Sequence, residues 1–213
     1  ELDVLEKFFD IIELEDPDVF IGYNIFGFDY DYINARLVDV ACEWRNVGRL
    51  LELGCSMKNM SWNSSAYGFN RLHIFNCPGR ISVDMLPYIK RDHKLPMYNL
   101  TAVGKHFLGE SKVDLKAHEM FEIHKRMVDM MSVIMHRSNS DNYKTALEAL
   151  EKDKSILSKE EFEDFEKVKK DNTLIIDYNV KDSLLVIRLF EKLNVWISLI
   201  ELSSIVRVTP MDF

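Results

Sequence analysis

The first forty residues alternate between helical and strand-like patterns of apolar side chains, and this alternation constrains the fold most. Residues 3–14 place apolar side chains at helical spacing and are followed by Pro17, so they predict an amphipathic helix. Residues 19–23 form a short apolar run that predicts a buried strand ending at Asn24. A second helix is predicted from near Asp29, with one apolar face formed by Tyr32, Ile33, Leu37 and Val40. We therefore expect an α/β core of few strands and many helices.

Between residues 53 and 84 the pattern indicates extended structure. The Ser, Asn and Gly content of residues 61–70 favours a loop or hairpin over a helix. Residues 72–75 and 80–84 alternate well enough to predict two strands that flank a Cys-Pro-Gly turn. The order of these strands in a sheet cannot be deduced from the sequence.

The remainder predicts mostly helix. Residues 99–108 predict a short helix stopped by Gly109. The segment 116–172 is charge-rich and helical, and Ser158 with Glu161 has the spacing of a capping box. Residues 174–202 predict one long helix with an apolar stripe.

Composition limits the functional class. The 213 residues are 47% hydrophobic and 29% charged, which suits one substantial domain or two small ones. No apolar run approaches the roughly 18–20 residues that cross a bilayer, so we expect neither membrane association nor secretion. The net charge of −8 argues against a chain that binds DNA tightly by itself, because lysine and arginine supply most non-specific affinity. The three cysteines lack metal or disulfide spacing, so ordinary thiols are expected.

Two acidic motifs lie far apart in the chain: Gly-Tyr-Asn-Ile-Phe-Gly-Phe-Asp at residues 22–29 and Tyr-Asn-Val-Lys-Asp at residues 178–182. Two-metal phosphodiester hydrolysis needs carboxylates from separate elements to converge on cations about 3.5–4 Å apart. Tyr178 and Asp182 would share one helix face. Each motif also has a purely structural reading: Tyr178 and Asp182 as surface residues, Asp29 as a first-turn helix charge, Asn24 as a turn residue and Phe28 as core.

Residues 22–29, followed by Tyr32-Ile33, resemble the second exonuclease motif of family-B DNA polymerases, and residues 178–182 resemble the third. The segments between them resemble the delta-like branch, and others resemble polymerases of large DNA viruses. The delta-like segments are residues 79–86, 98–100, 106–109 and 112–114, and the virus-like segments are residues 64–68 and 206–210. They occur in the family's order along most of the chain.

The resemblance implies a ribonuclease-H-like exonuclease fold that removes mismatched nucleotides from primer 3′ ends. It implies Asp29 and Asp182 as metal-binding catalytic carboxylates, with two Mg²⁺ or Mn²⁺ ions in the complete site. Tyr178 would orient the attacking water, and Asn24 and Phe28 would bind the frayed nucleotides. Asp84 would be either a support for the metal ligands or a structural helix cap.

The sequence departs from the family because the first exonuclease motif, an Asp-x-Glu on a strand before the first helix, is absent. Glu13 and Glu15 cannot replace it, since they follow that helix. We therefore expect a fold incomplete at the N-terminus, with an exposed sheet edge, in an internal segment of a larger polymerase that is inactive in isolation. A separately encoded piece of a split enzyme is the less favoured alternative. The alternative is a non-catalytic module that keeps the fold to brace the polymerase or bind a partner.

The resemblance also implies a domain order and partners. Residues 1–115 would be the first part of the exonuclease core, 116–172 a helical insertion, and 173–213 the second part leading toward the palm. Lysines in the insertion alternate with acids, which favours a solvated helical face over a DNA contact. The methionines at 127–135 suit a core or an interface, and no histidine has ligand spacing. Expected partners are single-stranded primer DNA, the remaining polymerase chain and a processivity factor, in the nucleus or at a cytoplasmic viral replication site.

Overall fold

The computed structural model describes residues 1–50, 52–64, 68–110 and 116–210. The resemblance at residues 112–114, the centre of the 64–68 segment and residues 211–213 lie outside the described residues. The chain divides into two compact units, Glu1–Ser111 with Leu185–Phe213 (unit 1) and Lys112–Leu184 (unit 2). The three-part division expected from the sequence stays a prediction.

Unit 1 begins with the predicted helix–strand–helix order. Helix α1 spans Leu2–Glu15, strand β1 Val19–Gly22 and helix α2 Asp29–Asp39. The left-handed conformation of Asp16, whose N–H donates to the Ile12 carbonyl, ends α1. The mixed α/β class expected from the sequence is observed.

The strands pair as two separate two-stranded sheets. Strands β2 (Ser56–Ser64) and β3 (Gly68–Asn76) form the antiparallel hairpin that the sequence allowed. Strand β4 (Ile81–Asp84) pairs in parallel with β1, so the two predicted strands beside the Cys-Pro-Gly turn join different sheets. Each strand of the parallel sheet has a strand neighbour on one side only within the described residues.

Two apolar clusters hold unit 1 together. The first joins α1, α2 and β3 through Phe9, Leu37 and Phe75. The second joins β4 to helices α3 (Met85–Asp92) and α4 (Leu100–Leu108) and to residues 186–199. Helix α4 has the predicted bounds, because the Asn99 side chain caps its start and Gly109 ends it at φ 72°.

The predicted apolar face of α2 is confirmed for Ile33, Leu37 and Val40, which lie in or against the core, but it was wrong for Tyr32. Tyr30 is buried with Leu37, whereas Tyr32 is exposed. Tyr30 precedes Leu37 by seven residues, close to two helical turns, while Tyr32 precedes it by five and faces away.

Unit 2 is helical, as predicted for most of its length. It contains α5 (Ala117–Ser138), α6 (Tyr143–Lys152), a 3₁₀ turn at Lys154–Ile156, and the first part of α7 (Lys159–Lys192). Its core packs Met131, Ile134 and Phe165. The predicted capping box is confirmed: Ser158 N–H donates to the Glu161 carboxylate at 2.8 Å, and Glu161 N–H donates to Ser158 Oγ at 3.2 Å.

The prediction of a single helix over 174–202 was wrong. Helix α7 begins fifteen residues earlier, because no Gly or Pro interrupts residues 159–192. It ends before Asn194, whose left-handed conformation (φ 48°) separates it from α8 (Val195–Val206). None of the described helices is both long enough and apolar enough to cross a membrane.

Candidate functional site

The first acidic motif forms a tight turn between β1 and α2. Asn24 adopts a left-handed conformation (φ 64°), and its carbonyl accepts hydrogen bonds from Gly27 N–H at 3.1 Å and Phe28 N–H at 3.0 Å. A Cβ at Gly22 would lie 2.0 Å from the Ile25 side chain, and one at Gly27 would lie 2.4 Å from Asn24 Oδ1. The glycines therefore permit a turn too tight for larger residues.

Asp84 fixes this turn from the neighbouring strand. Because β1 and β4 are parallel and Gly22 pairs with Asp84, both strands end at the same sheet edge. Asp84 Oδ1 accepts from Asn24 N–H at 2.7 Å and Leu86 N–H at 2.9 Å, and Oδ2 accepts from Phe26 N–H at 3.0 Å. Asp84 is only 5% exposed. Asp84 thus caps α3 and anchors the turn that precedes Asp29.

The β2–β3 hairpin and the rings of Phe26 and Tyr30 further support this turn. His73 N–H donates to the Phe26 carbonyl at 2.7 Å, so β3 holds the turn from the other side. The Phe26 and Tyr30 rings stack with centroids 6.1 Å apart. The Tyr30 hydroxyl lies 2.9 Å from Ser82 Oγ, and burial raises the pKa of Tyr30 to about 12. The backbone around Asn24, Phe28 and Asp29 is therefore held by β3 and β4.

Asp29 begins α2 and remains exposed. The helix N-terminus favours its negative charge. Partial desolvation by neighbouring groups nevertheless raises the pKa of the Asp29 carboxyl. Burial also raises the pKa of Asp84, against its three backbone hydrogen bonds, and the nearby charge of Asp29 adds to this rise. Two mutually repelling carboxylates at one sheet edge form a region of negative potential that a cation would relieve.

The chemistry of the side chains decides which of them could hold a divalent cation. Mg²⁺ prefers carboxylate oxygens, and the exposed Asp29 offers them. Asp84 is poorly suited, because both its oxygens already accept backbone hydrogen bonds. Across the described ranges, no group of three or more His, Cys, Asp or Glu side chains has the arrangement of a metal site. Among the described residues of unit 1, Asp29 therefore supplies one part of a ligand set.

The second acidic motif lies on α7 within unit 2. Tyr178 and Asp182 are one helical turn apart, as predicted from their spacing. Tyr178 is buried and Asp182 is partly buried. Asn24, Phe28 and Asp29, in contrast, belong to unit 1, so the predicted site residues are divided between the two units.

A cavity of about 280 Å³ adjoins Asp84 in unit 1. Its wall is largely apolar and includes Phe26, Val83 and Leu199. Lys90 and Arg91, which also line it, contact the rings of Tyr98 and Tyr88 respectively. This lining suits apolar packing better than cation coordination.

Sequence reasoning assigned no role at the site to two residues of this region, His73 and Tyr32. His73 contacts the turn through its backbone, and its Nδ1 lies 3.3 Å from an Asp31 carboxylate oxygen, a contact without a sequence signal. Tyr32 stacks on Phe28, with centroids 5.9 Å apart and an interplanar angle of 10°. The i, i+4 spacing of these two aromatic residues was the available signal.

Comparison with known families agrees with this geometry. Residues 1–103, which contain the turn, Asp29 and Asp84, match the family described as DNA polymerase family B, exonuclease domain. This match assigns residues 1–103 to the exonuclease domain of the family-B DNA polymerases, and DNA polymerases are similar to the chain along nearly its whole length. This confirms the resemblance drawn from the two motifs.

The relatives are polymerases of viruses and of the delta type. The chain is 32% identical to DNA polymerase 120R of Invertebrate iridescent virus 3 over 99% of this chain and 16% of that protein. It is 28% identical to the putative DNA polymerase 060R of Frog virus 3 over 93% of this chain and 16% of that protein. It is 37% identical to the DNA polymerase delta catalytic subunit of Candida albicans over 54% of this chain and 11% of that protein. The chain thus spans about one sixth of the viral relatives' length.

Proposed function

We propose that this chain is part of the 3′–5′ proofreading exonuclease domain of a replicative family-B DNA polymerase, with a ribonuclease-H-like fold. The observation that carries the proposal is the rigid turn at residues 22–29. It presents an exposed Asp29 at the carboxyl edge of parallel strands, the usual position of ligand sites in such sheets. The substrate would be the single-stranded 3′ end of a mismatched primer.

In this proposal Asp29 and Asp182 hold the cations, Tyr178 orients the attacking water, and Asn24 and Phe28 bind the terminal nucleotides. Two Mg²⁺ or Mn²⁺ ions, when bound, stabilise the charge of phosphodiester hydrolysis. Asp84 is a positioning residue, because it fixes the backbone on which Asn24 and Asp29 lie. The remaining acidic ligands would come from the rest of the polymerase, consistent with the partial ligand set of Asp29.

The proposed partners are DNA, the remainder of the polymerase and a processivity factor. The relatives favour either a nucleus or a cytoplasmic viral replication site as its location.

Excision by the complete polymerase of a mismatched 3′ nucleotide tests the proposal. Asp29→Asn should lower the excision rate about 100-fold or more, since a cation site is worth several kcal/mol to such a reaction. Asp39→Asn is the matched control: this exposed carboxylate lies on the same helix and pairs with Arg36. Polymerisation on a matched primer should be unchanged in both variants.

Unchanged excision in Asp29→Asn would refute the catalytic assignment and would favour the alternative, a non-catalytic module that braces the polymerase. Mn²⁺ binding to the 213-residue chain gives a second readout. Paramagnetic broadening should reach the amides around Asp29 and disappear in Asp29→Asn.

A further inference from the structure

Two cysteine side chains meet at the end of the β2–β3 hairpin that lies away from its turn. Ser56 pairs with Asn76 at this end of the ladder, so Cys55 and Cys77 lie opposite each other one position further along. Their sulfur atoms are 3.5 Å apart. The two cysteines are separated by 22 positions in the sequence, and the register of the strands brings them together. We call them the hairpin thiol pair.

The geometry of the hairpin thiol pair suits a disulfide bond. Residues that face each other across an antiparallel ladder have Cα atoms about 4.5–5.5 Å apart. Disulfides join residues whose Cα atoms are about 4.4–6.8 Å apart, so the backbone spacing of such a ladder needs little adjustment. The sulfur atoms must approach from 3.5 Å to about 2.0 Å, a change that rotation of the two short side chains can supply.

The two thiols differ in their access to solvent. Cys77 is buried in the core cluster that contains Phe75, whereas Cys55 is partly exposed. A side chain at Gly54, the residue before Cys55, would meet no atom within 4 Å, so the space at this position is open. Burial raises the pKa of the Cys77 thiol, and the thiolate is the nucleophile in disulfide exchange. An oxidant therefore reaches Cys55 first, and Cys77 completes the reaction.

We propose that the hairpin thiol pair is a site of reversible oxidation, at which a small disulfide such as glutathione disulfide converts the two thiols into an intramolecular disulfide. The Cys55 thiolate attacks one sulfur of the oxidant, forms a mixed disulfide and releases one glutathione thiolate. The Cys77 thiolate then attacks the Cys55 sulfur, closes the protein disulfide and releases the second glutathione. The protein gives up two electrons and two protons, and the oxidant is reduced to two thiols.

This disulfide would fix the hairpin that supports the turn at residues 22–29. Cys77 directly follows β3, and His73 on that strand donates its N–H to the Phe26 carbonyl at 2.7 Å. A covalent link between the ends of β2 and β3 opposes their separation and so disfavours local unfolding of the hairpin. Disulfides in the nucleus and cytosol are usually transient or redox-sensing, because the glutathione pool keeps most thiols reduced. The pair is defined by the hairpin alone and does not rest on the exonuclease proposal.

Equilibration of the 213-residue chain with mixtures of reduced glutathione and glutathione disulfide tests the proposal. Alkylation of the remaining thiols with N-ethylmaleimide after an acid quench, followed by mass spectrometry, counts the reduced, mixed-disulfide and intramolecular forms. Their proportions give the effective concentration of one thiol at the other, in buffer and again in urea. Cys55→Ser and Cys77→Ala each remove one member of the pair, and circular dichroism checks that both variants are folded.

Cys42→Ser is the matched control. Cys42 is partly exposed like Cys55, but its Sγ donates to the Glu43 carbonyl at 3.6 Å. Because this variant keeps only the hairpin thiol pair, any intramolecular disulfide that it forms must join Cys55 to Cys77.

We expect the effective concentration in the folded chain to exceed that in urea by about 30-fold or more. A disulfide that closes a loop of this length stabilises a fold by a factor of about this size, and the coupling between folding and disulfide formation is reciprocal. Cys42→Ser should match the unchanged chain. Cys77→Ala should stop at a mixed disulfide on Cys55, and Cys55→Ser should leave Cys77 reduced. Amide exchange in β3 should be slower in oxidised Cys42→Ser than in its reduced form.

An effective concentration in the folded chain equal to or below the value in urea would overturn the proposal, because the fold would then not favour the bond. Loss of the intramolecular disulfide in Cys42→Ser would also overturn it, since Cys42 would then be a partner in that bond. Excision by the complete polymerase with Asp29→Asn is measured with the cysteines reduced. Its outcome therefore tests the exonuclease proposal separately from the thiol pair.

Discussion

In each unit one carboxylate accepts a backbone hydrogen bond at the start of a helix, but the two carboxylates have opposite surroundings. Asp84 in unit 1 caps α3 through Leu86 N–H, and Glu161 in unit 2 accepts from Ser158 N–H at the start of α7. Burial raises the pKa of Asp84. The Arg137 guanidinium, which donates two hydrogen bonds to the half-buried Glu161, lowers the pKa of that carboxyl to about 2. Helix capping alone therefore does not set a carboxyl pKa; solvent access and a nearby cation do.

The difference separates a structural carboxylate from one beside a candidate site. Glu161 is stabilised by a cation and water, so its charge costs little. Asp84 is buried, has no cation partner in the contacts described above, and faces the like charge of Asp29. Buried carboxylates with raised pKa values concentrate at functional sites. The contrast supports unit 1 as the location of the first part of the site.

The largest expected effect tests whether the two units have separate cores. Phe9→Ala in unit 1 and Phe165→Ala in unit 2 should each cost about 3–5 kcal/mol, because both rings are buried. Amide hydrogen exchange should show each loss mainly within its own unit. Leu14→Ala is the control for Phe9, since Leu14 lies on the same helix and is 79% exposed. Equal loss of protection across both units would show that they unfold as one body.

The next effect concerns Asp84 itself. Asp84→Ala should lower the unfolding free energy by about 3 kcal/mol or more, because three backbone N–H groups lose their acceptor. Glu161→Ala should cost less, since water replaces its exposed contacts. Chemical denaturation measures both. A loss in Asp84→Ala no larger than in Glu161→Ala would contradict the anchoring role.

Two asparagine caps should give matched, smaller effects. Asn99 Oδ1 accepts from Ala102 N–H at 2.8 Å in unit 1, and Asn142 Oδ1 accepts from Thr145 N–H at 3.0 Å in unit 2. Each Asn→Ala change should cost about 1 kcal/mol. Hydrogen exchange should localise the loss to the first turn of α4 or α6. If one substitution lowered the unfolding free energy much more than the other, that asparagine would have a role beyond capping its helix.

The last and smallest predicted effect is a difference in how the two carboxylates change the unfolding free energy with pH. Glu161 ionises at about 2 when folded and near 4.5 when unfolded, so its stabilisation is present above pH 4.5 and is lost as pH falls toward 2. Asp84 has a folded pKa above 3.8, so its protonated form favours folding below pH 3.8 and this contribution disappears as pH rises through the folded value.

Unfolding free energies from pH 2 to pH 7 for the unchanged chain, Glu161→Gln and Asp84→Asn measure the two contributions. Each variant should remove its own pH-dependent component, and the two removed components should have opposite slopes. Slopes of the same sign would contradict the pKa contrast.

Local signals in the sequence were reliable. The capping box at Ser158 and Glu161 and the stop at Gly109 depend on residues within a few positions, and both were predicted. The parallel pairing of β1 with β4 and the contact of Asn24 with Asp84, 60 residues away, depend on long-range packing without a periodic signal. Tyr32 was assigned to the wrong face of α2. An apolar repeat gives the spacing of the buried residues but does not show at which residue the repeat begins. The roles of Asp29, Tyr178 and Asp182 stay predictions.

The division into two units also has a spectroscopic consequence. All three tryptophans, at positions 44, 62 and 196, fall within unit 1, and unit 2 has none. The Trp44 indole stacks on Phe75 with centroids 4.3 Å apart and donates its N–H to Asn34. Intrinsic tryptophan emission therefore follows the unit that carries Asp29, without any added label. Circular dichroism at 222 nm follows the helices of both units, so a temperature at which the two signals separate would identify the less stable unit in a single sample.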